Sequence, residues 1–119
     1  MMNVVGALST RECLGLLGTA GVGRLAFTER ALPAVRPVAF AVDDGHLVLR
    51  GSPPEAFRSL DRQIVALEID NIDPFTHRGW HVVVVGKVTR SDAQGPIPLF
   101  HVPLDHVSGD RFGAAVAAA

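Results

Sequence analysis

The sequence is poor in cysteine, in basic charge and in long apolar runs, and each shortage excludes a class of protein. Cys13 is the only cysteine among 119 residues, so the chain forms no internal disulfide. No apolar run approaches the roughly 18 residues that a membrane helix needs. The formal net charge of −1 provides no basic field for nucleic acid or for a membrane surface. We therefore expect neither a nucleic-acid nor a membrane partner.

Length and composition predict one folded domain. A chain of 119 residues with 48% hydrophobic residues can bury a core without disulfides. The first residues, MMNVVGALSTREC, lack the basic segment and the long apolar core of a signal peptide, which predicts a cytoplasmic protein. We expect a single domain over residues 1–119, with residues 1–7 and 113–119 as flexible tails.

The order of the predicted elements indicates a small antiparallel β-barrel with helices at its ends. Ser9 and Glu12 have the spacing of a capping box, which predicts a helix over 9–18. Pro54 suits the first turn of a short helix over 54–61. Apolar patterns between turn signals predict strands over 22–28, 34–42, 46–50, 62–70 and 80–91. The closing segment contains two prolines, which predicts an edge strand or a strap.

Two of these strands are apolar on both faces. The run HVVVVG has four consecutive valines, and VAFAV has five consecutive apolar residues. A strand that is buried on both faces is unexpected in a barrel with one face in water. The simplest cover is a second subunit, so we expect a homodimer with these outer faces in its interface.

Most of the usual catalytic patterns are missing from the sequence. Cys13 has no histidine nearby in sequence, and no serine lies in a nucleophile elbow. The glycine-rich segment 18–23 leads from a helix into a strand, whereas a phosphate loop needs the reverse order. His77 and His81 are four residues apart, but they lie in a loop and a strand, so that this spacing predicts no metal site.

The segment RGSPPEAFRS has the features of a phosphate cradle. Arg50 ends a strand, Gly51 and Ser52 offer backbone amides and a hydroxyl, and Arg58 follows in the predicted short helix. An ordinary strand–loop–helix connection with solvated arginines is the alternative, and the residue pattern alone leaves both open.

The stretch RPVAF poses a separate problem, because an arginine and a proline stand inside an apolar strand. Pro37 cannot donate to a sheet ladder, and Arg36 needs a partner or water. Trp80 is the only tryptophan and either packs in the core or stacks on a planar ligand. Arg36 would reach the same place if the second and fifth predicted strands are neighbours.

The order of four stretches resembles a known family. They are LSTRECLGLLGTAGVGRLAF, PAVRPVAFAVDDGHLVLRGS, IVALEIDNID and RGWHVVVVGKV. Together they resemble the pyridoxamine 5′-phosphate oxidase-like family of flavin-nucleotide-binding split β-barrels, in its short actinobacterial form. The resemblance implies a mainly β, six-stranded antiparallel split barrel with an N-terminal helix and a short helix. It also implies a homodimer with FMN at the subunit interface, or in some relatives a deazaflavin coenzyme or haem.

The resemblance also implies which residues form the cofactor site. The strand that touches the flavin ring corresponds to residues Arg36, Pro37, Val38, Ala39 and Phe40. The phosphate-binding strand end and loop correspond to Leu49, Arg50, Gly51 and Ser52. The position that faces the flavin from the long strand corresponds to Trp80 and His81.

One position departs from the family pattern. Relatives have a lysine or arginine at the start of the short helix, where this chain has Phe57 followed by Arg58. Phenylalanine does not bind phosphate, so Arg58 and Arg50 are the expected substitutes. Full-length oxidases also carry a C-terminal substrate-binding segment with arginine and histidine, and the tail SGDRFGAAVAAA is too short to supply one, so we do not expect oxidation of pyridoxamine phosphate.

Three functions remain open from the sequence. The first is a flavin-dependent oxidoreductase that acts on an unidentified small molecule, with His81 as the polar group near the ring. The second is a non-enzymatic carrier or sensor of FMN, deazaflavin or haem. The third is a cofactor-free dimer that keeps the fold.

Overall fold

Nine strands and one helix make up the computed structural model, which describes residues 2–50, 57–93 and 95–114. In chain order the elements are β1 (Met2–Ala7), α1 (Thr10–Thr19), β2 (Val22–Glu29), β3 (Leu32–Asp43), β4 (His46–Arg50), β5 (Ile64–Ile72), β6 (Gly79–Lys87), β7 (Thr89–Ser91), β8 (Leu99–Pro103) and β9 (Val107–Ala114).

All neighbouring strands are antiparallel, in the order β1-β9-β6-β5-β2-β3-β4-β8-β7. The predicted antiparallel β class is therefore confirmed, although the described part of the chain forms nine strands and six were expected. The predicted long strand over 80–91 is divided into β6 and β7, and the closing segment forms β8 and β9. Residues 2–7, which were predicted as part of a flexible tail, form β1 and pair with β9.

Local sequence signals explain the helix and the sharpest turn. Ser9 caps α1: its Oγ accepts from the Glu12 N–H at 3.1 Å, and its own N–H donates to Glu12 Oε1 at 3.1 Å, which confirms the capping box. The predicted DDG hairpin turn joins β3 to β4. Asp44 and Gly45 have φ angles of 46° and 75°, as a two-residue turn matching the strand twist requires.

Helix α1 packs against β9 because one position in that strand has no side chain. A Cβ atom on Gly109 would lie 2.5 Å from the carbonyl oxygen of His81 and 3.0 Å from Cys13 Sγ. Within α1, the side chains of Cys13 and Leu17 are buried, as the apolar pattern predicts. Burial raises the pKa of the Cys13 thiol, which keeps it protonated and inert.

The core lies on one face of the sheet, called here the inner face, because strand side chains alternate between faces. It is filled by Leu, Val, Ile and Phe side chains, each contributing about 1.5–3 kcal/mol when fully buried. The sheet supplies Leu25, Phe27, Val38, Phe40, Leu47, Leu49, Val65, Leu67, Ile69, Val82, Val84, Phe100 and Val102. The opposite, outer face carries the concave surfaces considered below.

The region of the predicted short helix is only partly described. Residues 51–56 lie outside the described part, and Phe57 begins a tight turn in which the Leu60 N–H donates to the Phe57 carbonyl at 3.1 Å. The Phe57 ring packs between Phe27 and Phe100, with both centroid distances at 6.2 Å. This position therefore belongs to the core.

Within the described part of the chain, no helix is long and apolar enough to span a bilayer.

Candidate ligand-binding site

On the outer face of the sheet, a depression lies on each side of β3. The first, here the β4 pocket, has a volume of about 320 Å³ and is lined by Ala39, Phe40, Ala41, Val48, Arg50 and Leu99. Pairing places Val48 opposite Ala41 and Arg50 opposite Leu99. The side chains of Ala39 and Ala41 are small, which leaves a recess in the apolar surface of the sheet. Arg50 provides a cationic group at the edge of this apolar floor.

The second depression, here the β5 pocket, has a volume of about 330 Å³. It is lined by Val22, Gly23, Arg24, Val35, Pro37, Glu68, Ile69 and Asp70. Arg24 lies opposite Pro37 on one side and opposite Glu68 on the other, so three neighbouring strands form its floor. One wall is apolar and the other carries charge.

The charged wall is an ion-pair network. Arg24 binds Glu68 at 3.0 Å and also binds Asp70, and both carboxylates raise the pKa of its guanidinium. Partial burial, followed by the neighbouring Asp70, raises the pKa of Glu68 despite its contact with Arg24. Two carboxylates therefore compete for one arginine.

The network continues along the outer face to β9. His81 Nε2 lies 3.1 Å from Asp110 Oδ2, and His81 Nδ1 lies 3.9 Å from Glu68 Oε2. The imidazole ring also packs edge-to-face with the Phe112 ring, with the two ring centroids 5.0 Å apart. His81 thus lies between two carboxylates, one from each of the strands that flank β6: Glu68 in β5 and Asp110 in β9.

The stretch RPVAF divides its side chains between the two faces. Val38 and Phe40 are buried in the core on the inner face, whereas Pro37 lines the β5 pocket and Ala39 the β4 pocket. Arg36 points to the inner side at an open position, with its side chain 45% exposed, and lies 3.6 Å from Glu29. The charge is tolerated because it has both a partner and water.

The side chains of Trp80 and His81 also lie on opposite faces of the sheet. Trp80 packs against the core on the inner face, and His81 lies on the outer face. Strands β3 and β6 are separated by β2 and β5, so the condition under which Arg36 would reach Trp80 is not met.

The structure describes two of the residues that were predicted to bind phosphate. Arg50 is exposed and lines the β4 pocket, and Arg58 is exposed beside the buried Phe57. Gly51 and Ser52 lie outside the described residues. Of the predicted site residues, the structure thus brings Ala39, Phe40 and Arg50 together in one pocket.

The charged wall of the β5 pocket was missed by sequence reasoning. Its only signal is the placement of Glu68 and Asp70 at alternate positions in the apolar strand RQIVALEID. Their partner Arg24 lies 44 residues from Glu68 in sequence, and only strand pairing brings them together. Within residues 2–50, 57–93 and 95–114, no group of three His, Cys, Asp or Glu side chains is arranged to hold a metal ion.

Known structures have the same fold. The FAD-binding protein of Mycobacterium smegmatis matches with a TM-score of 0.75 and 23% identity, over 92% of this chain and 98% of that chain. A FAD-binding protein from Mesorhizobium loti matches with a TM-score of 0.74 and 25% identity, over 95% and 99% of the two chains. These similarities confirm the predicted split-barrel class.

Sequence comparison identifies the family. An uncharacterised protein of Mycobacterium tuberculosis is 40% identical over 89 residues, which are 70% of this chain and 59% of that protein. The match thus spans about three fifths of the length of the curated relative. Residues 9–111 match the family described as pyridoxamine 5′-phosphate oxidase. The chain therefore belongs to the pyridoxamine 5′-phosphate oxidase family.

Proposed function

We propose that this chain binds a flavin nucleotide, FMN in the first instance, at the β4 pocket. The observation that carries the proposal is the position of Arg50 at the edge of an apolar floor made by Ala39, Ala41 and Val48. Small side chains allow a planar ring to approach the strand closely, and a guanidinium binds phosphate through charge-assisted hydrogen bonds. FAD-binding proteins with the same fold support a flavin as the ligand.

The residues present fit a flavin in chemistry but do not enclose it. The β4 pocket is an open depression of about 320 Å³, whereas ligand sites bury most of their ligand. A second copy over the outer face would close it. Val22 and Val35 on this face are each 64% exposed, and Val85 is 39% exposed. We therefore propose a homodimer with the cofactor between the subunits.

An oxidoreductase is the function that this site would serve. A bound flavin supplies the electron transfer, and the chain would bind, orient and shield it from water. In this assignment Arg50 holds the phosphate and Ala39 provides close backbone contact with the ring. His81 lies three strands from β3, so its part in the site would have to come through the partner subunit.

Reconstitution tests the cofactor. The purified chain is incubated separately with FMN, FAD, a deazaflavin coenzyme and haemin, and the melting temperature and visible spectrum are recorded. A ligand that binds only the folded form raises the melting temperature. We expect FMN to produce a shift and a retained yellow band after gel filtration. If neither FMN nor FAD shifts the melting temperature at millimolar concentration, flavin binding is refuted.

A second measurement separates the enzyme from the carrier. The flavin complex is mixed anaerobically with reduced nicotinamide nucleotide, and the flavin absorbance is followed. Bleaching faster than that of free flavin supports an oxidoreductase. A rate equal to that of free flavin supports a carrier without turnover.

A further inference from the structure

The turn between β5 and β6, residues 73–78, is rigidly braced. Asp73 Oδ1 accepts hydrogen bonds from the N–H groups of Phe75 and Thr76, both at 2.8 Å. The main chain adds bonds from the Asp73 N–H to the Arg78 carbonyl and from the His77 N–H to the Asp73 carbonyl, both at 2.9 Å. The bonds from the N–H groups of Thr76 and Phe75 lower the pKa of Asp73, since its ionised carboxylate is the better acceptor.

This braced turn holds a large aromatic side chain in water. Phe75 is 92% exposed, more than any other large apolar side chain in the described part of the chain. Single exposed apolar residues are common on protein surfaces, but here five hydrogen bonds within residues 73–78 hold the main chain from which the Phe75 ring projects. An aromatic side chain on a fixed main chain has only its two side-chain torsions left to order on binding, which suits a binding anchor.

The β5 pocket has the complementary features. Val22 and Val35, each 64% exposed, form an apolar wall with Pro37. On the other wall Glu68 and Asp70 share the single positive charge of Arg24, which leaves one negative charge in excess. The turn presents the matching pair of groups: Phe75 is apolar, and the neighbouring Arg78 is positively charged and exposed.

The turn and the pocket of one chain do not reach each other. Both are carried by β5, since Asp70 lines the pocket and the turn begins at Asp73, about 10 Å further along an extended strand. Pairing with β6 keeps β5 extended as far as Ile72, and Phe75 is 92% exposed, so its ring does not lie in the pocket of its own chain. The turn therefore fits a pocket of another molecule.

We propose that residues 73–78 of one copy of this chain dock into the β5 pocket of a second copy. Phe75 packs against Val22 and Val35, and Arg78 faces the carboxylates of Glu68 and Asp70. Because turn and pocket are close neighbours on β5, a twofold axis between them forms the contact twice. The inference rests on the proposed homodimer and assigns its mode of contact.

Cysteine cross-linking tests the contact directly. In the double variant Phe75→Cys/Val35→Cys, mild oxidation should produce a covalent dimer on a non-reducing gel, since the two sites meet only between chains. The matched control is Phe75→Cys/Ile64→Cys, because Ile64 is 65% exposed on another part of the outer face. The native Cys13 is buried and stays in both variants. Equal cross-linking in the two variants would overturn the proposal.

Dimer dissociation provides a second readout. We expect Phe75→Ser to raise the dimer dissociation constant roughly tenfold or more, and Leu32→Ser, at a position 68% exposed in the β2–β3 hairpin, to leave it unchanged. Sedimentation measures both, and the melting temperature reports whether each variant is folded. A dimer undisturbed by Phe75→Ser overturns the docking mode alone, whereas a monomeric native chain refutes the homodimer as well.

Discussion

The rings of Phe57 and Phe100 pack against each other in the core, with their centroids 6.2 Å apart. Phe57 stands at the position where the family resemblance predicts a basic residue, and it is only 5% exposed. A side chain directed into the core has no route to a phosphate on the outer face. The phosphate contact of the proposed flavin site therefore falls to Arg50, which lines the β4 pocket.

Restoring a basic residue at this position should damage the fold and create no phosphate site. We expect Phe57→Lys to lower the free energy of unfolding by about 3–5 kcal/mol, because it removes a buried ring and places an ammonium group in the core. Chemical denaturation measures the change. Arg58→Ala, at the exposed neighbour, should stay within about 0.5 kcal/mol of the native chain. Equal stability of Phe57→Lys and the native chain would place this side chain outside the core.

Removing Arg50 should weaken flavin binding and spare the fold. We expect Arg50→Ala to cost about 1.5–3 kcal/mol of binding free energy, or roughly 10- to 150-fold in Kd for FMN, through loss of a charge-assisted bond. Fluorescence titration measures the affinity. Arg11→Ala, at an exposed position of α1, controls for the loss of one positive charge. Unchanged affinity in Arg50→Ala would remove Arg50 from the site.

The N-terminal cap should make stability depend on pH in the acid range. The Ser9 N–H, which donates to the carboxylate of Glu12, lowers the pKa of Glu12 below 4.5, and Ser9 Oγ and Arg111 add to this effect. The ionised carboxylate thus stabilises the folded state above pH 4.5, and this stabilisation is lost as pH falls through the lower folded-state pKa. We expect Glu12→Gln to melt below the native chain at pH 7, with the difference closing in acid. A pH-independent difference in melting temperature would contradict this assignment.

Two glycines should respond in opposite directions to the same substitution. Gly109→Ala should destabilise the chain by about 1–3 kcal/mol, because its Cβ would meet the His81 carbonyl oxygen at 2.5 Å and displace α1 from β9. Gly15→Ala, in α1 with nothing within 4 Å of its Cβ, should stabilise by about 0.5–1 kcal/mol. Thermal unfolding compares them. Destabilisation of similar size in both variants would mean that α1 is not seated on Gly109.

The parts of the fold that depend on neighbouring residues were predictable from the sequence. The Ser9–Glu12 capping box begins α1 as expected, and the DDG turn closes the β3–β4 hairpin because Gly45 adopts a positive φ. The family could also be recognised, since the order of its motifs along the chain needs no knowledge of how the strands pair. β1 was missed because its apolar run, MNVVGA, has no strict alternation and pairs with the distant β9.

The candidate site was predictable only in part. The sequence by itself determined that Arg36 to Phe40 form a strand, and strand periodicity requires that Arg36 and Pro37 point to opposite faces. Periodicity does not say which face is inner, nor which strands are neighbours. Only the tertiary structure separated β3 from β6, joined Arg24 to Glu68 across 44 residues and turned Phe57 into the core. The physical reason is that hydrogen-bond pairing between distant strands and burial of a shared apolar face are decided by the whole chain at once, whereas caps and turns are decided within a few residues.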